Sequence, residues 1–188
     1  MATDLVNRIT TAPAGMPFDF DEIKEHIRVD HEIEDAVLKT YILAAIDYVE
    51  KFTWRKLRPT TYTGYADSWD TFNIQLHPVT SITSVKYYDA ANSLQTMSSA
   101  DYQTDLVKIP ASINFLTTYD LFDRPNPIQI LFVSGYATLY DIPSGLVSAL
   151  YLMVGHLYDN RNATSVVKMH TLPIGLRDIL AQYNARTL

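Results

Sequence analysis

The sequence predicts an α+β fold: a small helical bundle of two N-terminal and one or two C-terminal helices, with an antiparallel β section inserted into it. Three observations carry this. Apolar residues recur at helical spacing before residue 58 and after residue 143. Between Pro59 and Asp141 the period changes to two, in segments rich in β-branched and aromatic residues. The chain has 188 residues, 47% apolar and 19% charged, which supports one substantial core and leaves no place for a long disordered tract. Helices on either side of a β section pack together only if that section leaves and returns at nearly the same place. The expected organisation is therefore one domain over 1–188, helical over 18–58 and 143–184, with a β insertion over 59–142.

The first 20 residues lack a basic start followed by an apolar run, so neither a secretory signal nor a transit peptide is expected. From Phe18 the pattern is helical: Phe20, Ile23 and Ile27 share a face, and Asp19 or Asp21 can cap the first turn. This short helix ends near Arg28. Asp30 is then expected to cap a second helix running to about Phe52, with Ile33 as its first buried position. Ile33, Val37, Tyr41, Ala44, Tyr48 and Phe52 line one face of it, yet Leu38, Ile42, Ala45, Ile46 and Val49 make the middle apolar nearly all round. A second partner surface follows from that width.

Strands are expected at residues 61–65, 71–76, 81–88 and 128–133, with further candidates at 102–104 and 112–115 and a turn over 89–93. Pro143 suits a first helical turn, where its missing N–H would be unpaired anyway. Leu146, Val147, Leu150, Val154, Leu157 and Tyr158 then have the spacing of a core helix. Its apolar stretch, Leu146 to Tyr158, is shorter than the roughly 20 residues a membrane span needs. A last short helix is expected from Ile174 to Tyr183, with a frayed tail.

Composition excludes several functions. With no cysteine there is no disulfide scaffold, zinc-thiolate site or thiol nucleophile. Residues 1–58 carry 8 basic and 11 acidic side chains, 59–142 carry 3 and 8, and 143–188 carry 4 and 2. An acidic middle section does not hold nucleic acid tightly, because phosphate binding requires clustered Lys and Arg. His26, Asp30, His31, Glu32, Glu34 and Asp35 form the densest polar cluster, but acidic groups are favoured at a helix start by its dipole, and no HExxH pattern is present. His156, near Asp159 and Arg161, has no identifiable nucleophile to serve as base for, and a histidine near a helix C-terminus has a structural explanation. No Gly-x-Ser-x-Gly elbow, dinucleotide fingerprint or phosphate loop occurs. No catalytic residue, cofactor site or metal site is therefore assigned. Broad apolar helices, aromatic strands and no reaction centre describe a subunit that works by fitting against other subunits.

Three stretches occur together in order: Ile27-Arg28-Val29-Asp30 with Asp35-Ala36-Val37-Leu38 and Ala44 to Glu50; His77-Pro78-Val79 with Val85 to Asp89; and Ile142-Pro143 with His156-Leu157-Tyr158 and Asn160-Arg161. In this the sequence resembles the head-tail connector (adaptor, head-completion) family of tailed phages, prophages and gene transfer agents, in its longer branch with a β insertion. The resemblance spans residues 18–162. It implies a structural virion protein at the head-tail interface, present in the host cytoplasm before assembly. Neighbouring copies would form a ring, usually of twelve, beneath the portal protein. That ring would extend a channel through which DNA passes without sequence-specific binding, and would present a surface to the next head-completion or tail protein. No membrane is involved.

Within that frame, large aromatic and aliphatic groups on the second helix and its exit, Tyr41, Ile42, Tyr48 and Trp54, are the expected subunit-interface residues. The C-terminal segment is expected to be mobile in the free subunit and to dock on the portal through Leu176, Arg177, Tyr183 and Arg186. Two other readings stand beside the connector. One is a small carbohydrate- or ligand-binding β module of a phage particle using Tyr62, Tyr65, Trp69 and Tyr87; the other is a hydrolase using His156 or the His26–Asp35 cluster.

Overall fold

A computed structural model describes residues 3–13, 18–160 and 174–185. The chain divides into two compact units, one from residues 1–14 and 58–137 and the other from 15–57 and 138–187. The breaks fall near Pro59 and Pro143, except that the N-terminal residues join the β unit.

The β unit contains β1 (Thr3–Asp4), β2 (Val6–Thr11), β3 (Thr60–Ala66), β4 (Phe72–Ile74), β5 (Val79–Tyr88), β6 (Leu94–Thr96), β7 (Tyr102–Asp105), β8 (Ala111–Phe115) and β9 (Ile128–Ser134). Instead of one small sheet it has two, ordered β1-β4-β8-β7 and β2-β3-β9-β5-β6. The pairs are antiparallel except β1 with β4, which is parallel. Strand β9 is central, and its alternation places Ile128, Ile130 and Phe132 at 0% exposure with half-buried residues between. These meet Phe72, Ile74 and Ile113 of the other sheet in one core, where Tyr62 stacks on Phe132 with ring centroids 5.6 Å apart. After β9 the chain turns at Gly135, whose φ is +127°. A Cβ there would lie 2.0 Å from the Arg58 carbonyl oxygen, so only glycine fits.

The helical unit comprises α1 (Phe20–His26), α2 (Asp35–Thr53), α3 (Ser144–Asp159) and α4 (Ile174–Ala181). Asp19 caps α1 by accepting from the Asp21 amide at 2.9 Å. Asp30 does not cap α2: Glu34 holds that position, and Ile33 is 90% exposed instead of buried. Tyr158 at the end of α3 donates to Glu34 at the start of α2, so the two helices run antiparallel. Their shared core consists of Leu38, Ile42, Ala45, Ile46 and Val49 from α2 and Leu146, Ala149, Leu150 and Val154 from α3. The residues expected to widen the α2 stripe are thus its core face. No described helix is long and apolar enough to cross a membrane.

The C-terminal segment is not a frayed tail over its described part. Leu176 and Leu180 of α4 are 1% and 0% exposed, and Ala185 is buried. Past the helix, the Asn184 side-chain amide donates to the Phe52 carbonyl at 2.9 Å and Arg55 Nε donates to the Tyr183 carbonyl at 2.8 Å. The first satisfies a carbonyl in the last turn of α2, which ends at Trp54 with a left-handed φ of 58°, and the second satisfies one just past α4. Residues 161–173, between α3 and α4, lie outside the described residues.

Candidate assembly interface

With the α2 core face turned inward, its second apolar stripe is left without a partner among the described residues of the unit. Ile33 is 90% and Val37 43% exposed; Ala44 is exposed, and Tyr41, Tyr48 and Phe52 are half-buried. Steps of three and four residues align Val37, Tyr41, Ala44, Tyr48 and Phe52 along one side of the helix, with Ile33 in the turn just before it. Tyr48 and Phe52 stack with centroids 6.1 Å apart, which fixes two large rings in place.

Beside this stripe an open groove of about 510 Å³ runs between α2 and α3. Its floor is apolar, formed by Ala44, Tyr48, Phe52, Met153 and Leu157. On the rim, Lys51 Nζ pairs with Asp47 at 2.7 Å, both side chains being well exposed. An apolar stripe that continues into an apolar groove with a charged rim has the make-up of a protein interface.

Of the expected interface residues, Tyr41 and Tyr48 lie on this stripe and Trp54 is half-buried at the helix exit. Ile42 does not belong to the surface: it is 0% exposed in the helical core, because position 42 falls on the inward face with Leu38, Ala45 and Val49. On α4, Arg177 is exposed and Tyr183 half-buried, whereas Leu176 is buried in the core and offers no side chain to a partner. Arg186 lies outside the described residues. Sequence reasoning passed over Val37 and Ile33 as contact residues. Their spacing with Tyr41 and Tyr48 was visible, but it equally describes a buried face.

Several of the polar groups considered for chemistry have structural partners. Lys24 donates to Asp35 at 2.9 Å, and this bond holds the ammonium pKa above its ordinary value. The His26 ring lies 5.4 Å from that of Tyr151, and His156 Nδ1 sits 3.2 Å from the Asn160 side-chain amide. Among the described residues no His, Asp and Glu group is arranged to hold a metal ion. In the β unit, Tyr62 and Tyr87 are buried and cannot serve as a sugar platform. Tyr87 stacks on Tyr119 at 4.9 Å, and Trp69 donates from Nε1 to the Tyr119 carbonyl at 2.7 Å with Phe115 against its ring. These aromatics are core and loop anchors, which removes the main support for the carbohydrate module.

Among the described residues, then, the helical unit leaves one apolar face of α2 open, and the β unit consists of two packed sheets. The chain belongs to the phage gp6-like head-tail connector protein family, whose model matches residues 18–124, and it is a structural connector. Among solved structures the chain is similar to a protein in the neck of an empty gene transfer agent particle, with a TM-score of 0.79 at 21% identity, covering 96% of this chain and 95% of the other. A chain from the virion of a native gene transfer agent particle matches with a TM-score of 0.77 at 20% identity over the same shares. One from the neck of a native particle matches with a TM-score of 0.75 at 20% identity, again over 96% and 95%. At these identities the likeness establishes the fold. No curated protein matches the sequence.

Proposed function

We propose that this protein is the subunit of a ring in the neck of a phage or phage-like particle. The ring docks beneath the portal, continues the DNA channel and offers its far surface to the next head-completion or tail protein. Twelve copies is the expected number. Before assembly the subunit resides in the host cytoplasm.

The observation that carries this reading is the open stripe from Val37 to Phe52 on α2, with Ile33 exposed in the turn before it and the groove beside it, in a chain of the connector family. Closed rings require two different patches on each subunit, meeting head to tail, and an unpartnered apolar helix face supplies one of them. Support also comes from the fold relatives, whose neck structures were computed with C6 and C12 symmetry. For DNA passage, the acidic excess of residues 59–142 favours sliding over sticking. We assign the subunit contact to Tyr41, Tyr48 and Trp54 together with Val37 and Ile33. Portal docking is assigned to the exposed side of α4 around Arg177, with Tyr183 and Arg186.

The test is negative-stain microscopy of the purified protein mixed with portal-bearing heads. A ring of added density at the portal vertex is expected. Protein that stays free in solution beside bare portals would refute the role.

A further inference from the structure

We infer that the groove between α2 and α3 of one copy receives Tyr140 of the next copy in the ring. This rests on the ring reading above and supplies its second patch. Tyr140 is 95% exposed, the extreme among the aromatic side chains of the described residues. It is nevertheless held firmly. The short turn Leu139–Asp141 is closed by Asp141 Oδ2, which accepts from the Thr138 amide at 2.9 Å and from its hydroxyl at 2.8 Å. The Ile142 amide donates back to the Leu139 carbonyl at 3.1 Å, and Ile142 is itself buried. A tyrosine projected by a doubly tied turn has little backbone freedom left to lose when it binds, which is the quality of an interface anchor.

The groove suits that anchor chemically. Its floor of Ala44, Tyr48, Phe52, Met153 and Leu157 matches a phenol ring, and Asp47 and Lys51 on the rim stand where the hydroxyl needs polar company. Lys51 is already paired with Asp47 and Asp141 with Thr138, so the rim and the turn meet without an unpaired like charge between them. The two patches are separate on one molecule. Met153 and Leu157 lie 9 and 13 residues beyond Ser144, where α3 begins, roughly 14 and 20 Å along the helix at 1.5 Å per residue. Tyr140 precedes that start and reaches no groove of its own copy, as its exposure shows. A contact between unlike patches is heterologous, the kind that closes by rotation into a ring.

Because the chain contains no cysteine, disulfide trapping has no background. Tyr140→Cys and Ala44→Cys, each a surface change, are made as separate proteins and oxidised under ring-forming conditions. A mixture of the two should give a cross-linked dimer that neither gives alone, and a chain carrying both changes should give a ladder of multimers. Tyr140→Ala should remain folded by circular dichroism and raise the concentration needed for assembly by about 30-fold, as loss of a hot-spot anchor does. Rings of wild-type yield from Tyr140→Ala, or cross-links only between like positions, would overturn this contact while leaving the ring reading intact. Failure of the wild-type protein to form any ring would remove both.

Discussion

The backbone amide of Ala185 donates to the carbonyl of Thr53 at 2.9 Å, tying the end of the described chain to the last residue of α2. The C-terminal segment is therefore part of the helical core. Leu176→Ala or Leu180→Ala should each cost about 2–5 kcal/mol, the range for emptying a fully buried leucine site. Removing residues 176–188 should abolish cooperative unfolding of the helical unit in a denaturant titration. A truncated chain that unfolds at the wild-type midpoint would contradict this packing.

Two glycines of α3 should respond in opposite directions. A Cβ on Gly145 would lie 2.5 Å from the Tyr183 hydroxyl and 2.7 Å from its Cε2, so Gly145→Ala must displace that ring and should destabilise by about 1–3 kcal/mol. At Gly155 the nearest group is Ile27 Cγ2 at 3.8 Å, an ordinary contact. Gly155→Ala should stabilise by about 0.5–1 kcal/mol through helix propensity alone. Thermal unfolding of the pair gives both signs.

Tyr151 has its phenol pKa pushed up to about 12, chiefly by burial and then by its hydrogen bond to Glu22 at 3.1 Å. The folded state therefore favours the neutral phenol. Its contribution to stability is full below the ordinary tyrosine pKa of about 10 and is lost as pH rises toward 12. In a spectrophotometric titration Tyr151→Phe should remove a late phenolate step and leave earlier steps in place. Loss of an early step instead would show that the hydroxyl is solvated.

On α2, neighbouring residues on the two faces should separate stability from assembly. Ile42→Asp places an unpaired charge at a position of 0% exposure and should prevent folding of the helical unit. Val37→Asp puts the charge on an exposed position, where substitutions usually stay within about 0.5 kcal/mol, and Tyr48→Asp gives up a half-buried ring at a cost of about 1–3 kcal/mol; both should leave a folded monomer. Circular dichroism with sedimentation velocity distinguishes the outcomes: low helicity for the first, native helicity without rings for the others.

How much of this was legible in the sequence depended on what neighbours decide. Strands β3, β4, β5 and β9 announced themselves by alternation and β-branched or aromatic content, β7 and β8 more faintly, and Pro143 marked the start of α3. Strand β2 did not, because Val-Asn-Arg-Ile-Thr-Thr is an exposed edge whose only reason to be extended is the β3 ladder beside it. The two faces of α2 are both apolar, so periodicity alone left the inward one open. Packing against Leu146 and Leu150 of α3 selects Leu38, Ile42 and Val49, and what remains is the open stripe. The groove required the antiparallel approach of α3, and the isolation of Tyr140 required a turn closed by Asp141. Neither is written in local sequence. The resemblance to head-tail connectors was readable because it rests on motifs in order along the chain and does not depend on which face of a helix is buried.

The central claim is that the open α2 stripe closes this protein into a ring at the portal. Imaging portal-bearing heads incubated with wild-type protein and, separately, with the Val37→Asp/Tyr48→Asp double variant tests it most directly. A ring at the vertex with wild type, and bare portals with a variant that is folded and monomeric, is the predicted result. A complete ring formed by the variant would contradict the account.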